Sequence, residues 1–293
     1  MRALLDASSE MPVFQASKQI TDLLSPLYGA GEAKAMTRII FENIKGWSPV
    51  DVAVKSNEHL TPFSLGQIND VLSQLLSYKP IQYVFGTAWF YGMKLKVTPD
   101  TLIPRPETAE LVDLIVQENQ RKDLRVIDLC TGSGCIAVAL ARNLPFSTVV
   151  ATDISDAALA VARENAKALH ADVRFISSDL LTAQGRAAAA GSYDIIVSNP
   201  PYIVDSEKKD MSPNVLEFEP HGALFVPDAD PILFYKAIFA FAGTSLAQGG
   251  KIYLEINPMF SERLLAEASK NGFVDASVLR DTYGRNRFLI AFK

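Results

Sequence analysis

The sequence predicts an α/β chain. A doubly wound, mostly parallel sheet closes on an antiparallel hairpin, and a small helical bundle precedes it. Three observations predict this. From about residue 100, short apolar runs alternate with helical stretches, the pattern of βαβ units. The last two apolar runs, 274–279 and 287–292, flank a turn holding Asp281 and Gly284, and strands so close in sequence must pair antiparallel. Residues 1–80 carry apolar residues at helical spacing and no β-rich run.

The elements follow in order. Ile20, Leu23, Leu24 and Leu27 share one helical face, as do Met36, Ile39, Ile40 and Ile44, with Gly29 and Gly31 between the two sets. Ser48-Pro49 reads as an N-cap followed by proline at the first helical position. Ser64 and Gln67 fit a capping box ahead of Ile68, Val71, Leu72, Leu75 and Leu76, and Pro80 is expected to end that helix. No chemical constellation occurs in this segment, so a structural or docking module is expected. Residues 81–99 are rich in aromatic and β-branched residues, with glycines nearby, and are expected to form a β-hairpin linking two domains. Beyond it the expected strands are 124–129, 148–151, 173–176, 193–198 and 251–256. The expected helices are 133–143, 156–169 and 231–247. The alanines 187–190 mark a helical or loose segment.

The chain has 293 residues, 48% of them hydrophobic, enough for one large domain and a small one. A net charge of −5 argues against nucleic acid as the main partner, because phosphate binding needs a basic surface. The two cysteines, Cys130 and Cys135, flank one glycine turn, which suits neither a disulfide framework nor a metal site. His59, His170 and His221 are scattered. The first twelve residues show no basic-then-apolar signal pattern, and no apolar run is long enough to span a membrane. A reducing, cytoplasmic setting is therefore expected.

Two segments carry chemistry. The first, 125–134, is a strand that runs into a glycine turn, Cys130-Thr131-Gly132-Ser133-Gly134, with a helix behind it. The glycines let backbone pass close to a ligand, and the helix start offers unpaired N–H groups. The same turn also fits the dinucleotide fingerprint G-x-G-x-x-G/A, and Asp153 ends the second strand where an acid can meet a ribose. Two details favour S-adenosylmethionine. Asp128 lies where a carboxylate can meet the ligand's methionine ammonium, and NAD has no cation there. Asp179, followed by Leu180, can accept from an adenine amino group. Each aspartate alone is as well explained as a cap or loop charge. Three acids at the ends of three successive strands point to a ligand.

The second segment is Asn199-Pro200-Pro201-Tyr202, directly after the fourth strand. As a bare turn it would need no explanation. Its position at the same sheet edge suggests more. The prolines stiffen the backbone and donate no hydrogen bonds. The Asn199 side-chain oxygen and the Pro200 carbonyl can then accept the two hydrogens of a planar –NH2 group and aim its lone pair at a methyl donor. Tyr202 can cover one face of that group. These residues indicate methylation of a planar nitrogen and leave adenine, cytosine, guanine and glutamine open.

The order of motifs narrows the choice. Pro80-Ile81-Gln82-Tyr83, Phe90-Tyr91-Gly92, Ile103-Pro104-Arg105-Pro106-Glu107-Thr108, the 128–137 turn and 197–203 together closely resemble the bacterial peptide-chain release-factor glutamine N5-methyltransferases, over nearly the whole chain. The strand pattern likewise resembles the class I S-adenosylmethionine-dependent methyltransferase fold. The resemblance implies an enzyme that methylates the glutamine of Gly-Gly-Gln in class I release factors, with S-adenosylmethionine as cofactor. Residues 1–80 would dock the substrate, 81–99 would link, and 100–293 would form the methyltransferase domain. Residues 130–134, Asp128, Asp153, Asp179, Leu180 and Asn199 would bind cofactor. Asn199, Pro200 and Tyr202 would be catalytic, and with Pro201 would hold the glutamine. Arg105 and Glu107 would line or support the pocket, or form a structural charge pair. No metal, membrane or direct nucleic-acid partner is implied.

Three positions depart from the family pattern. Cys130 replaces a usual glycine, 224–231 lacks the usual glycine-rich stretch, and 257–260 lacks a glycine and a glutamine. A nucleic-acid base N-methyltransferase, a non-enzymatic scaffold and an NAD oxidoreductase are the competing readings. Net charge, the retained Asp128, Asp153 and Asn199, and the second motif respectively weigh against them.

Overall fold

The computed structural model describes residues 4–293; Met1 to Ala3, part of the segment read as lacking a signal, lie outside the described residues. The chain divides into two compact units, one ending at Phe85 and the other beginning at Gly86.

The first unit holds β1 (Met11–Pro12), α1 (Val13–Tyr28), α2 (Ala30–Lys45), α3 (Pro49–Val54), β2 (His59–Leu60), α4 (Pro62–Leu75) and α5 (Ile81–Phe85). Its core forms from apolar residues three and four apart: Val13, Ala16, Ile20 and Leu24 of α1 meet Met36, Ile40 and Phe41 of α2 and Leu65, Ile68, Leu72 and Leu75 of α4. Ser48 caps α3 with a reciprocal Asp51 bond and Pro49 behind it.

Three expectations need correction here. α4 starts before Ser64: Thr61 is its N-cap, accepting from the Ser64 amide at 3.3 Å, with Pro62 at the first position. It ends at Leu75, ahead of Pro80, through a turn in which Tyr78 is left-handed (φ 65°). Residues 81–85 form a helical turn, not a strand. The Pro80 carbonyl accepts from the Val84 amide at 3.0 Å, and Ile81 enters the helical core. Proline starts a helix at no cost in hydrogen bonds, and that outweighs the β character of its neighbours.

The second unit begins with a hairpin, β3 (Thr87–Phe90) and β4 (Met93–Lys96), turned by Tyr91 and Gly92 at φ 45° and 72°. Then follow α6 (Pro106–Glu118), β5 (Arg125–Leu129), α7 (Cys135–Asn143), β6 (Thr148–Asp153), α8 (Asp156–Ala168), β7 (Val173–Ser177), α9 (Ala183–Ala188) and β8 (Tyr193–Ser198). After these come β9 (Ile203–Val204), α10 (Pro213–Leu216), β10 (Phe225–Val226), α11 (Leu233–Ser245), β11 (Leu246–Glu255), α12 (Ser261–Lys270), β12 (Val274–Arg280) and β13 (Asn286–Phe292).

Seven strands form one sheet in the order β12-β13-β11-β8-β5-β6-β7. β11, β8, β5, β6 and β7 are parallel, and β13 is antiparallel to both its neighbours. Strand alternation builds a core on each face. Val126, Ile195 and Val197 enter one with α6 and α7, while Ile127, Leu129 and Ile196 enter the other with α11 and α12. The chain runs from β5 outward through β6 and β7, then returns to place β8 on the other side of β5. Ligands of open α/β sheets bind at such a reversal, beyond the strand ends.

Candidate active site

A cavity of about 450 Å³ lies at this reversal. Cys130, Thr131, Gly132 and Ser133 line it from the end of β5, Asp153, Ile154 and Ser155 from β6, Ser178, Asp179 and Leu180 from β7, and Asn199 and Pro201 from β8. The two motifs, some seventy residues apart in sequence, therefore face one space.

The glycine turn is held from below and from both sides. Thr131 donates to Asp128 Oδ2 at 2.5 Å, and the Thr131 amide donates to the Thr152 carbonyl at 2.9 Å. The Asp153 carboxylate accepts from the Gly132 amide at 2.8 Å and from the Ser155 amide at 2.9 Å. Gly134 has φ 79°, and a Cβ there would lie 3.0 Å from the Ala162 side chain, so glycine is what lets α7 start against α8. Buried Asn165 on α8 spans the Lys96 amide and carbonyl and donates to the Ser133 carbonyl at 2.9 Å, which ties the hairpin to the turn. Cys130 has a left-handed backbone (φ 61°). Burial pushes its thiol far up, and pushes that of Cys135 up to about 12, so both stay protonated at neutral pH.

Asp128 is fully buried beneath the turn and does not line the cavity. Its Oδ1 has no hydrogen-bond partner among the described residues. Burial, the largest influence, pushes its carboxyl up to about 7. A buried carboxylate oxygen without a partner is costly unless a ligand supplies a donor or cation.

The wall at the end of β7 depends on a close approach. Asp179 accepts from the Leu181 amide at 2.9 Å, and a Cβ on Gly185 would lie 2.0 Å from the Asp179 carbonyl oxygen. Gly185→Ala is thus expected to push α9 off Asp179. The loss should be about 1–3 kcal/mol, seen as a fall in Tm with weaker cofactor binding by calorimetry. An unchanged Tm would show that the segment gives way freely.

On the β8 side, Asn199 Nδ2 donates to Thr108 Oγ1 at 3.1 Å. Tyr202 donates its hydroxyl to Glu255 Oε1 at 2.9 Å, and its ring packs against the α11–α12 core. Burial holds that phenol well above its ordinary range, so it is no base at neutral pH. Pro200 and Tyr202 do not reach the cavity wall, so the face-covering role expected of Tyr202 is not met; Pro201 does line it. Leu102, Pro104 and Arg105 lie across the cavity with Pro220, Gly222 and Ala223. The pairing expected between Arg105 and Glu107 is corrected. Arg105 Nη2 meets Glu219 Oε1 at 2.6 Å, and the Ile103 amide donates to Glu219 Oε2 at 3.2 Å. Glu107 instead occupies the first turn of α6, where a carboxylate suits the helix dipole.

The family model described as the PrmC N-terminal domain matches residues 15–86, and that of the Methyltransferase small domain matches 108–217. The release factor glutamine methyltransferase of Bacteroides thetaiotaomicron is 42% identical over 272 residues, covering 93% of this chain and 97% of that protein. That of Flavobacterium psychrophilum is 40% identical, covering 92% and 95%. The chain belongs to the release factor glutamine methyltransferase family. It is an S-adenosylmethionine-dependent methyltransferase.

Solved structures agree on the fold of this family member. A methyltransferase from Pyrococcus furiosus aligns with a TM-score of 0.52 at 18% identity, over 77% of this chain and 98% of that one. A Thermus thermophilus 16S rRNA methyltransferase, in complex with AdoMet and guanosine, aligns at 0.51 and 19%, over 71% and 49%. The residues present fit S-adenosylmethionine. The glycine turn passes along a cavity large enough for a nucleoside, and Asp153 and Asp179 flank it.

Sequence reasoning missed Thr108, Asn165, Glu219 and Glu255. Thr108 and Glu219 fall in or beside quoted segments, whereas Asn165 sits mid-helix and Glu255 at a strand end with no motif to mark them. Among the described residues, no helix is long and apolar enough to cross a membrane, and no acid, histidine and cysteine cluster could hold a metal.

Proposed function

We propose that this protein transfers a methyl group from S-adenosylmethionine to the side-chain amide N5 of the glutamine in the Gly-Gly-Gln motif of class I peptide chain release factors. The observation that carries this reading is the placement of Asn199 on the wall of the cavity that the glycine turn, Asp153 and Asp179 also line.

When bound, S-adenosylmethionine supplies an electrophilic methyl on a sulfonium. Asp128, buried beneath the turn, is proposed to attract its ammonium through charge and not by contact, Asp153 to meet its ribose, and Asp179 with Leu180 its adenine, while 130–134 passes close to it. Asn199 Oδ1 accepts an N5 hydrogen, while Pro200, off the cavity wall, stiffens the backbone behind it. That pulls the nitrogen toward a tetrahedral shape, and its lone pair becomes available. The N5 proton becomes acidic only after methylation and leaves to solvent, so no strong base is required. Pro201 and Arg105 form wall beside the amide, and Glu107 supports the start of α6. The N-terminal helical unit is proposed to dock the release factor; it runs through Phe85, and the hairpin expected as a linker within 81–99 belongs to the second unit. The same reading makes the protein cytoplasmic, with no direct nucleic-acid partner.

The test is labelling with radioactive S-adenosylmethionine. A release factor is expected to be labelled, and its Gly-Gly-Ala variant is expected to stay unlabelled. Labelling of nucleic acid without the release factor would overturn this in favour of base methylation.

A further inference from the structure

Glu255, at the end of β11, is a buried acid that the functional reading leaves without a task. Both its oxygens receive hydroxyl protons. Thr108 Oγ1 donates to Oε2 at 2.7 Å and Tyr202 donates to Oε1 at 2.9 Å. Its backbone carbonyl accepts from the buried Tyr235 hydroxyl at 2.9 Å, which fixes the strand end. Burial, the largest influence, pushes its carboxyl up, and Glu107 adds to that; the Thr108 and Tyr202 hydroxyls and the Arg287 charge oppose it. Two donors on two oxygens, with a guanidinium nearby, suit the acceptor-only carboxylate.

The proton count has a consequence one residue further on. A threonine hydroxyl has one proton, and Thr108 commits it to Glu255. Toward Asn199 it can then offer only a lone pair. The Asn199 amide must place its –NH2 against Thr108, at 3.1 Å, so its Oδ1 is the end left for the cavity side. The reversed amide would set oxygen against oxygen and turn a donor toward the substrate. A donor there would attract the carbonyl of a glutamine and hold N5 away from the methyl.

We propose that Glu255 and Thr108 are positioning residues that fix the orientation of the Asn199 amide. They make the site an acceptor of N–H groups, selective for a carboxamide over a carboxylate. This rests on the reading of Asn199 as the group that binds the glutamine amide. The chain Glu255–Thr108–Asn199 joins β11, α6 and the end of β8, and each link is a hydrogen bond whose direction the one before it dictates.

Two Thr108 variants test it in the full-length protein. Thr108→Val keeps the shape and removes the hydroxyl, while Thr108→Ser keeps the hydroxyl and removes the methyl. Thr108→Val is expected to lower kcat roughly tenfold or more, with cofactor Kd and release-factor KM changed by about twofold at most. Thr108→Ser is expected to restore kcat to within about threefold of wild type. Wild-type kcat in Thr108→Val, or equal impairment in both variants, overturns the proposal.

A second measurement needs no substrate. Hydrogen exchange at the Asn199 side-chain amide, followed by NMR in 15N-asparagine-labelled protein, is expected to be slow in wild type and Thr108→Ser and fast in Thr108→Val. Equal exchange in all three overturns the proposal. If wild type leaves the release factor unlabelled yet shows this pattern, the functional reading fails and the fixed amide stands.

Discussion

Replacing Asn199 by alanine is expected to lower kcat by roughly 10²–10³-fold, the loss typical when one preorganised polar group is removed from a reacting centre. Cofactor affinity should change far less. The Asp153 carboxylate, the glycine turn and Asp128 are held by contacts that do not involve Asn199. The Asn199 side chain donates instead to Thr108. Single-turnover labelling gives the transfer rate, and calorimetry gives the cofactor Kd. Equal losses in both would mean that Asn199 merely holds the cavity open.

Asp128 gives the second large effect, and it has two opposite signs. Burial raises its carboxyl from 3.8 to about 7 on folding. A carboxyl raised on folding contributes stability that is full below its unfolded value and is lost as pH climbs through about 7. The free protein should therefore lose about 1 kcal/mol between about pH 6 and 7 from this group. Cofactor binding should show the reverse slope. An ammonium in the cavity above the turn favours the carboxylate electrostatically, so binding expels a proton, and affinity should rise roughly fivefold over the same interval. Asp128→Asn is expected to flatten both slopes and to weaken cofactor binding at pH 7. Urea unfolding and calorimetry across that range check this; slopes of the same sign, or slopes that survive Asp128→Asn, would refute the attraction to the ammonium.

The central strands were legible because parallel strands buried on both faces must be apolar throughout. Ile195, Ile196 and Val197 show this within β8, flanked by polar residues. β11 begins five residues before the expected 251. Its start carries Gln248, Gly249 and Gly250 beside a register shift against β8, and that composition gives no strand signal. The α4 start was misplaced because Ser64 offers the same capping chemistry as Thr61, and only the Thr61 side chain's contact with the Ser64 amide separates them.

Within the site, Asp153, Asp179 and Asn199 could be found because each sits at the end of an apolar strand, where the sheet itself delivers side chains to a ligand. The partner of Arg105 could not. Glu107 is nearer in sequence, but the rigid start of α6 leaves it in the helix, while Glu219 folds back to meet both Arg105 and the Ile103 amide. Glu255 was invisible for a similar reason, since nothing local distinguishes a strand-end glutamate that binds distant hydroxyls.

The two halves of the site differ in how much chain they need. The turn's own bonds close short loops: Asp128 to Thr131 spans 3 residues and Gly132 to Asp153 spans 21. The bonds behind Asn199 span 91 and 147. Longer loops carry a larger closure entropy and form later. The turn's bonds join residues made before β8 and β11. Chemical competence must wait until Glu255 has emerged and docked. A chain whose C-terminal strands have come loose loses the carboxylate that orients Thr108, and with it the bond that orients Asn199.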